Sequence, residues 1–313
     1  MKSGKDLRIV FMGTPEFAVA SLDALVNAGF NIVGVITAPD KPAGRGMQLQ
    51  QSAVKKYAIE KELHILQPEK LKNPQFLEEL KALNADLQVV VAFRMLPEAV
   101  WNMPPMGTVN LHASLLPDYR GAAPINWAVI DGAQSTGVTT FKLKHEIDTG
   151  NVLLQERIYP GDTETAGELH DRMKVIGAEL LVKTVEGLAS GTLQEQPQDK
   201  MSIGHGTPKH APKLTTETCK IDWTKTAHEI YNLIRGLSPY PAAFTYIDGK
   251  MLKIFRATML DKQPTIAPGE HELLNGVSLR FAAADGYVSP TEVQLEGKKR
   301  MSMEDFVRGY RKS

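Results

Sequence analysis

The chain has 313 residues, 42% hydrophobic and 23% charged, with 36 basic side chains balancing 36 acidic ones. That composition suits about two packed domains and excludes disorder as the main state. One cysteine, Cys219, excludes an internal disulfide framework and a cysteine-built metal cluster, and no metal is expected to be required.

Residues 1–8 are polar and lead straight into a strand-like run without the apolar core of a signal peptide, so the cytoplasm is the expected compartment. The run at 7–13 ends on Gly13, and Pro15 stands where a helix begins. Phe17, Ala20, Leu22 and Leu25 then recur at helical spacing, and Gly29 closes the helix. Residues 31–38 form a second strand. Residues 39–51 are polar, glycine-containing and too long for an ordinary turn between strand and helix. Helices are expected at 52–61 and 74–83, and strands at 63–66, 86–93 and 107–111. Short apolar strands alternating with helices predict a mainly parallel sheet covered on both faces.

Past residue 135 the pattern changes. Residues 136–144 and 151–159 alternate with period two and are expected to join the sheet antiparallel. A long helix follows at 165–190. Residues 191–212, rich in Gly, Pro, Gln and Lys, read as a connector. Beyond it come a helix at 226–237 and short strands at 243–247, 251–257, 276–281 and 286–293, the pattern of a small β-barrel. The expected domains are 1–190, a linker 191–212, and 213–313. Residues 205–313 carry 16 Lys+Arg against 12 Asp+Glu, a modest excess that decides nothing alone.

The turn at 13–17 has a single glycine, with Pro15 and Phe17 where a pyrophosphate loop needs close backbone approach. The P-loop and Gly-x-Ser-x-Gly patterns are missing. Hydride transfer, ordinary phosphoryl transfer and serine hydrolysis therefore lose weight. The informative stretch is 110–121. Asn110 and His112 alternate at the end of a strand and project to one side, where open parallel sheets place ligands. They offer an oxygen-binding dipole and a proton carrier. Asp148 sits in the turn between the two alternating strands, which allows it to return beside His112. Residue types alone leave a plainer reading open: Asn110 as a cap, His112 as a satisfied half-buried side chain, and Asp148 as a turn former.

The segment 110–121, followed by Ala122-Ala123-Pro124-Ile125 and by Asp148-Thr149-Gly150, resembles the 10-formyltetrahydrofolate-dependent formyltransferases. The likeness extends to the opening at 11–17, the Val89–Ala92 strand, and Lys220-Ile221-Asp222-Trp223 at the start of the second domain. It implies a Rossmann-like, mainly parallel α/β domain followed by an OB-like barrel. It also implies catalysis by Asn110, His112 and Asp148. Asn110 and protonated His112 would stabilise the charge growing on the formyl oxygen, while Asp148 would orient His112 and relay a proton from the attacking amine. Ser114, Leu115, Leu116 and Pro117 would form part of the pocket for the 10-formyltetrahydrofolate co-substrate.

The loop Asp40-Lys41-Pro42-Ala43-Gly44-Arg45-Gly46 is similar to one inserted by family members that act on tRNA. The resemblance makes Lys41 and Arg45 the expected tRNA contacts, and the amino group of methionyl initiator tRNA the expected acceptor. A monomer is the default assembly. Formylation of an amino-sugar nucleotide, or a non-catalytic RNA- or folate-binding role, are the rivals. The chain departs from the family at Phe93-Arg94, where Tyr-Gly is common. Lys298-Lys299-Arg300 is the clearest basic cluster of the second domain. Lys253 and Arg256, an odd number of residues apart, are not expected to share a strand face.

Overall fold

The computed structural model describes residues 4–43, 48–201 and 206–310. In chain order its elements begin with β1 (Arg8–Gly13), α1 (Glu16–Asn27), β2 (Asn31–Ile36), β3 (Lys41–Ala43), β4 (Gln48–Gln50) and α2 (Ala53–Glu60). Next come β5 (Ile65–Leu66), α3 (Pro74–Ala82), β6 (Leu87–Val91), α4 (Glu98–Trp101), β7 (Thr108–His112), β8 (Arg120–Gly121) and α5 (Pro124–Ile130). Then follow β9 (Thr136–Lys142), β10 (Val152–Ile158), α6 (Ala166–Ser190), β11 (His210–Ala211), α7 (Thr216–Cys219) and α8 (Ala227–Leu237). The chain ends with β12 (Ala243–Ile247), β13 (Lys250–Leu260), β14 (His271–Leu274), β15 (Ser278–Ala282), β16 (Tyr287–Leu295), β17 (Met301–Ser302) and α9 (Met303–Gly309). Two compact units share these elements. One comprises Met1–Arg120, Gly137–Ile158 and Asp171–Lys209; the other comprises Gly121–Thr136, Tyr159–His170 and His210–Ser313.

The first unit is built on a seven-stranded sheet of order β10-β9-β7-β6-β1-β2-β5. Strands β7, β6, β1, β2 and β5 run parallel, while β9 pairs with β7 antiparallel. The parallel strands are continuous apolar runs because both faces are covered: Ile9, Val10, Phe11 and Met12 of β1 are all fully buried. Val10, Met12, Ile36 and Val90 pack with Phe76 and Leu80 of α3 in one core cluster. Local signals set the helix starts. Ser52 caps α2 by accepting from the Lys55 N–H, and Asn73 with Pro74 at the first helical position opens α3.

The long polar loop after β2 contains a short antiparallel pair, β3 with β4, which no apolar periodicity in the sequence announces. Its base is fixed by side chains. Lys55 donates to the Asp40 carboxylate at 2.6 Å, and Gln67 donates to both Asp40 and the Ala38 carbonyl. Those donors, Lys55 first and Gln67 next, hold the Asp40 carboxyl below its ordinary value.

The second unit carries an antiparallel sheet of order β12-β13-β16-β15-β14, with β17 paired to β16. Its core gathers Ile230, Ile234 and Leu237 from α8 with Phe244, Leu252, Ile254, Phe281, Val288 and Val293. Thr226 and Glu229 make a reciprocal capping box that starts α8. Trp223 stacks on Phe281 at 4.8 Å and donates its indole N–H to Thr245, a packing role.

One expectation fails in this sheet. Lys253 pairs with Gln294 and Arg256 with Glu292, so the two basic residues face the same way. The register shift places Phe255 as an extra, buried residue between them, and a bulge of one residue reverses the alternation. Arg256 then pairs with Glu168 at 2.5 Å, and Arg300 pairs with Glu292 while lying over the Phe255 ring at 4.1 Å.

Candidate active site

Three parallel strands end side by side in the first unit: β1, β6 and β7. Asn110 and His112 lie two residues apart on β7 and therefore share a face at its carboxyl end. Opposite them on β9 stand Phe141 and Thr139. The Phe141 ring meets His112 edge-on at 6.4 Å, which limits how the imidazole can tilt.

The two nitrogens of His112 have different neighbours. Nε2 lies 2.9 Å from the Tyr119 carbonyl oxygen. A carbonyl can only accept, so Nε2 carries the hydrogen and donates it. Nδ1 is left facing Asp148, whose Oδ2 lies 4.0 Å away. Nδ1 is therefore the ring nitrogen not committed to the Tyr119 carbonyl. Both side chains are largely buried, at 8% and 14% exposure, so water screens their interaction poorly.

Asp148 reaches this place because the turn between β9 and β10 folds back sharply. Its φ is +55°, and Asp is among the few residues that adopt a left-handed backbone at moderate cost. Gly150 makes the close approach possible: a Cβ there would lie 1.6 Å from the Lys142 carbonyl oxygen. Tyr119 and Ala92 also have positive φ, at +57° and +46°. Ala92 follows β6, Tyr119 follows β7, and Asp148 lies between β9 and β10.

Asn110 is half-buried, and among the described residues its carboxamide makes no hydrogen bond. Ser114 and Leu116 are differently placed. Ser114 is fully buried and donates its hydroxyl to the Asp118 carbonyl at 2.6 Å. Thr139 donates to the Ser114 carbonyl and accepts from the Leu116 N–H, and Gln155 donates to the Leu116 carbonyl. Leu116 packs on Phe141 and Val152, while Leu115 remains half-buried. Pro117 is buried beside it.

Two residues at this site were not read from the sequence. Gln198 lies within the expected connector, yet it is buried and donates to the carbonyls of Asp148 and Gly150 at 2.8 Å each. Thr139, a plain β9 residue by pattern, braces the loop after His112. A cavity of about 650 Å³ adjoins the Asp148 turn, lined by Arg120, Lys144, Glu146, Thr149, Gln198 and Asp199 among others. Arg94 donates to the carbonyls of Pro68 and Glu69, a loop-bracing use of the departing residue. Lys41 is exposed on β3, and Arg45 lies outside the described residues.

Comparison with known proteins gives this geometry a context. A family profile described as formyl transferase matches residues 7–185, and one described as formyl transferase, C-terminal domain, matches 213–311. A methionyl-tRNA formyltransferase of Bacteroides fragilis is 51% identical over 98% of this chain and 96% of its own length. One from Parabacteroides distasonis is 52% identical over 98% and 97%. Among solved structures, a sugar 3N-formyl transferase in the presence of dTDP and 5-N-formyl-THF superposes with a TM-score of 0.67 at 20% identity, over 94% of this chain and 99% of that one. HypX from Aquifex aeolicus in complex with tetrahydrofolic acid gives 0.65 at 17%, over 96% and 47%. Matched by both profiles and by relatives at half identity over nearly its whole length, the chain belongs to the formyl transferase family.

Proposed function

We propose that this enzyme transfers a formyl group from 10-formyltetrahydrofolate to the amino group of methionyl initiator tRNA, in the cytoplasm and as a monomer. The single observation that carries the reading is the full-length likeness to methionyl-tRNA formyltransferases at about 50% identity. Two features support such chemistry: Asn110 and His112 share one face at the carboxyl end of β7, and the Asp148 carboxylate, from the turn between β9 and β10, lies 4.0 Å from the imidazole.

The folate co-substrate supplies an amide-like formyl carbon. Asn110 donates its amide N–H to the formyl oxygen, whose negative charge grows as the carbon becomes four-bonded. His112, its Nε2–H engaged by Tyr119, presents Nδ1 toward the same space and carries the proton that steadies this charge. Asp148 keeps that imidazole in register and takes the proton the amine loses when its lone pair forms the new C–N bond. Breaking the old C–N bond returns the electron pair to the departing nitrogen, which takes up a proton in turn. Leu115, half-buried, offers apolar surface to the folate ring system, with Ser114, Leu116 and Pro117 shaping the wall behind it. Lys41 and Arg45 meet tRNA phosphates.

The test is direct. The purified protein is incubated with 10-formyltetrahydrofolate and, separately, with charged initiator tRNA and an amino-sugar nucleotide. Formyl-methionyl-tRNA as the product supports the reading, and formylation of the sugar alone overturns it.

A further inference from the structure

The Asp148 turn is held from outside. Gln198 directs both hydrogens of its side-chain amide at this turn, one to the carbonyl of Asp148 and one to that of Gly150, each at 2.8 Å. Its own side-chain oxygen accepts twice from the Arg120 guanidinium, at 3.1 and 2.6 Å. The amide is thus fully engaged, and the residue is only 4% exposed. The chain two residues earlier is held as well, because Gln196 exchanges two 2.8 Å hydrogen bonds with Val152 at the start of β10.

These contacts close a ring. Arg120 follows Tyr119, whose carbonyl receives the His112 Nε2–H. From His112 the path crosses to the Asp148 carboxylate, through the Asp148 backbone to Gln198, and back to Arg120. One carboxamide therefore ties the loop that orients the imidazole to the turn that orients the carboxylate. Only an amide performs both halves. A carboxylate would keep Arg120 but oppose two carbonyls, and an alkyl group would satisfy neither side.

We propose that Gln198 is a positioning residue for the formyl transfer, fixing Asp148 against His112 through the carbonyls on either side of the turn. The inference rests on the reading of Asn110, His112 and Asp148 as the reacting groups. A small displacement of a reacting group costs rate out of proportion to its size, so a loss on the order of 10- to 100-fold in kcat is expected. KM for either substrate should stay nearly constant.

The experiment is a double-mutant cycle on the full-length enzyme, read by steady-state kinetics with 10-formyltetrahydrofolate and methionyl-tRNA. Gln198→Leu should lower kcat by the stated factor, yet change it by less than about two-fold once Asp148→Asn is present. Losses that multiply in the double variant, or a Gln198→Leu enzyme with parental kcat, would overturn the proposal. Gln198→Glu preserves the Arg120 pair and guards against a folding artefact. It should lose kcat as Gln198→Leu does, and parental turnover in a folded Gln198→Glu enzyme overturns the proposal equally. Parental turnover in Asp148→Asn alone would instead remove the assignment of the reacting groups, and the role of Gln198 with it.

Discussion

His112 gives its Nε2 hydrogen to the Tyr119 carbonyl at 2.9 Å, and this single bond decides which face of the imidazole is chemically available. The remaining nitrogen meets Asp148 across 4.0 Å, a gap that admits adjustment as charge builds during reaction. Replacing His112 with Ala should cost on the order of 10²-fold or more in kcat, with the far-ultraviolet spectrum unchanged. Near-parental turnover of purified His112→Ala would end its assignment.

Asn110 offers a cleaner separation of catalysis from stability. Among the described residues its carboxamide makes no hydrogen bond, so Asn110→Ala should leave the melting temperature almost unmoved. Turnover should fall by about 2.7–4 kcal/mol of barrier, the usual cost of losing an oxyanion donor. A large drop in Tm with kcat retained would reverse this interpretation.

At Asp148 the backbone and the carboxylate are separable by choice of substitution. Asn tolerates the +55° φ and removes only the charge, whereas Ala adds backbone strain of about 1 kcal/mol. Both variants should be slow, but only Asp148→Ala should show a lowered denaturant midpoint. Equal midpoints would mean that the turn relaxes freely.

The anchor beneath β3 and β4 should be acid-labile. Hydrogen bonds from Lys55 and then Gln67 lower the Asp40 carboxyl from its ordinary 3.8, so the unfolded chain binds this proton at higher pH than the native one. The stabilisation is present above the ordinary value and disappears as pH falls through the lowered one. The protection of the Gln48–Gln50 amides, relative to their intrinsic exchange rates at each pH, should therefore fall below about pH 4, and Asp40→Asn should abolish that loss. Protection factors unchanged on acidification in the parent protein would contradict the anchor.

For RNA, Lys41→Ala and Arg45→Ala should each raise KM for tRNA and reduce the salt dependence of binding by about one phosphate contact. The kcat at saturating tRNA should stay near the parental value. Unchanged salt slopes in both variants would release the loop from any role in tRNA binding.

Much of the first unit was legible because its strands are short apolar runs buried on both faces, and β1, β6 and β7 stand near their expected bounds. The expected antiparallel addition of 136–144 also stands, as β9 beside β7. The pairing of His112 with Asp148 was legible as a possibility, since a turn between two alternating strands can return a carboxylate to the sheet. Gln198 was not, because its segment has no apolar period and its partners are backbone carbonyls some fifty positions away. The bulge at Phe255 was equally silent, for one inserted residue leaves no mark on composition. The start of α9 did carry a readable sign: Ser302 accepts from the Asp305 N–H, the spacing of an ordinary helix cap.

The stretch after α6 bears on how this enzyme can be divided. Gln198 supports the Asp148 turn, and Lys209 both accepts from the Tyr119 N–H and donates to Asp118. A fragment ending at Ser190 would keep every residue assigned to the chemistry yet lack the strap that tensions it. Excising the catalytic half at the apparent end of its last helix should therefore yield an idle scaffold.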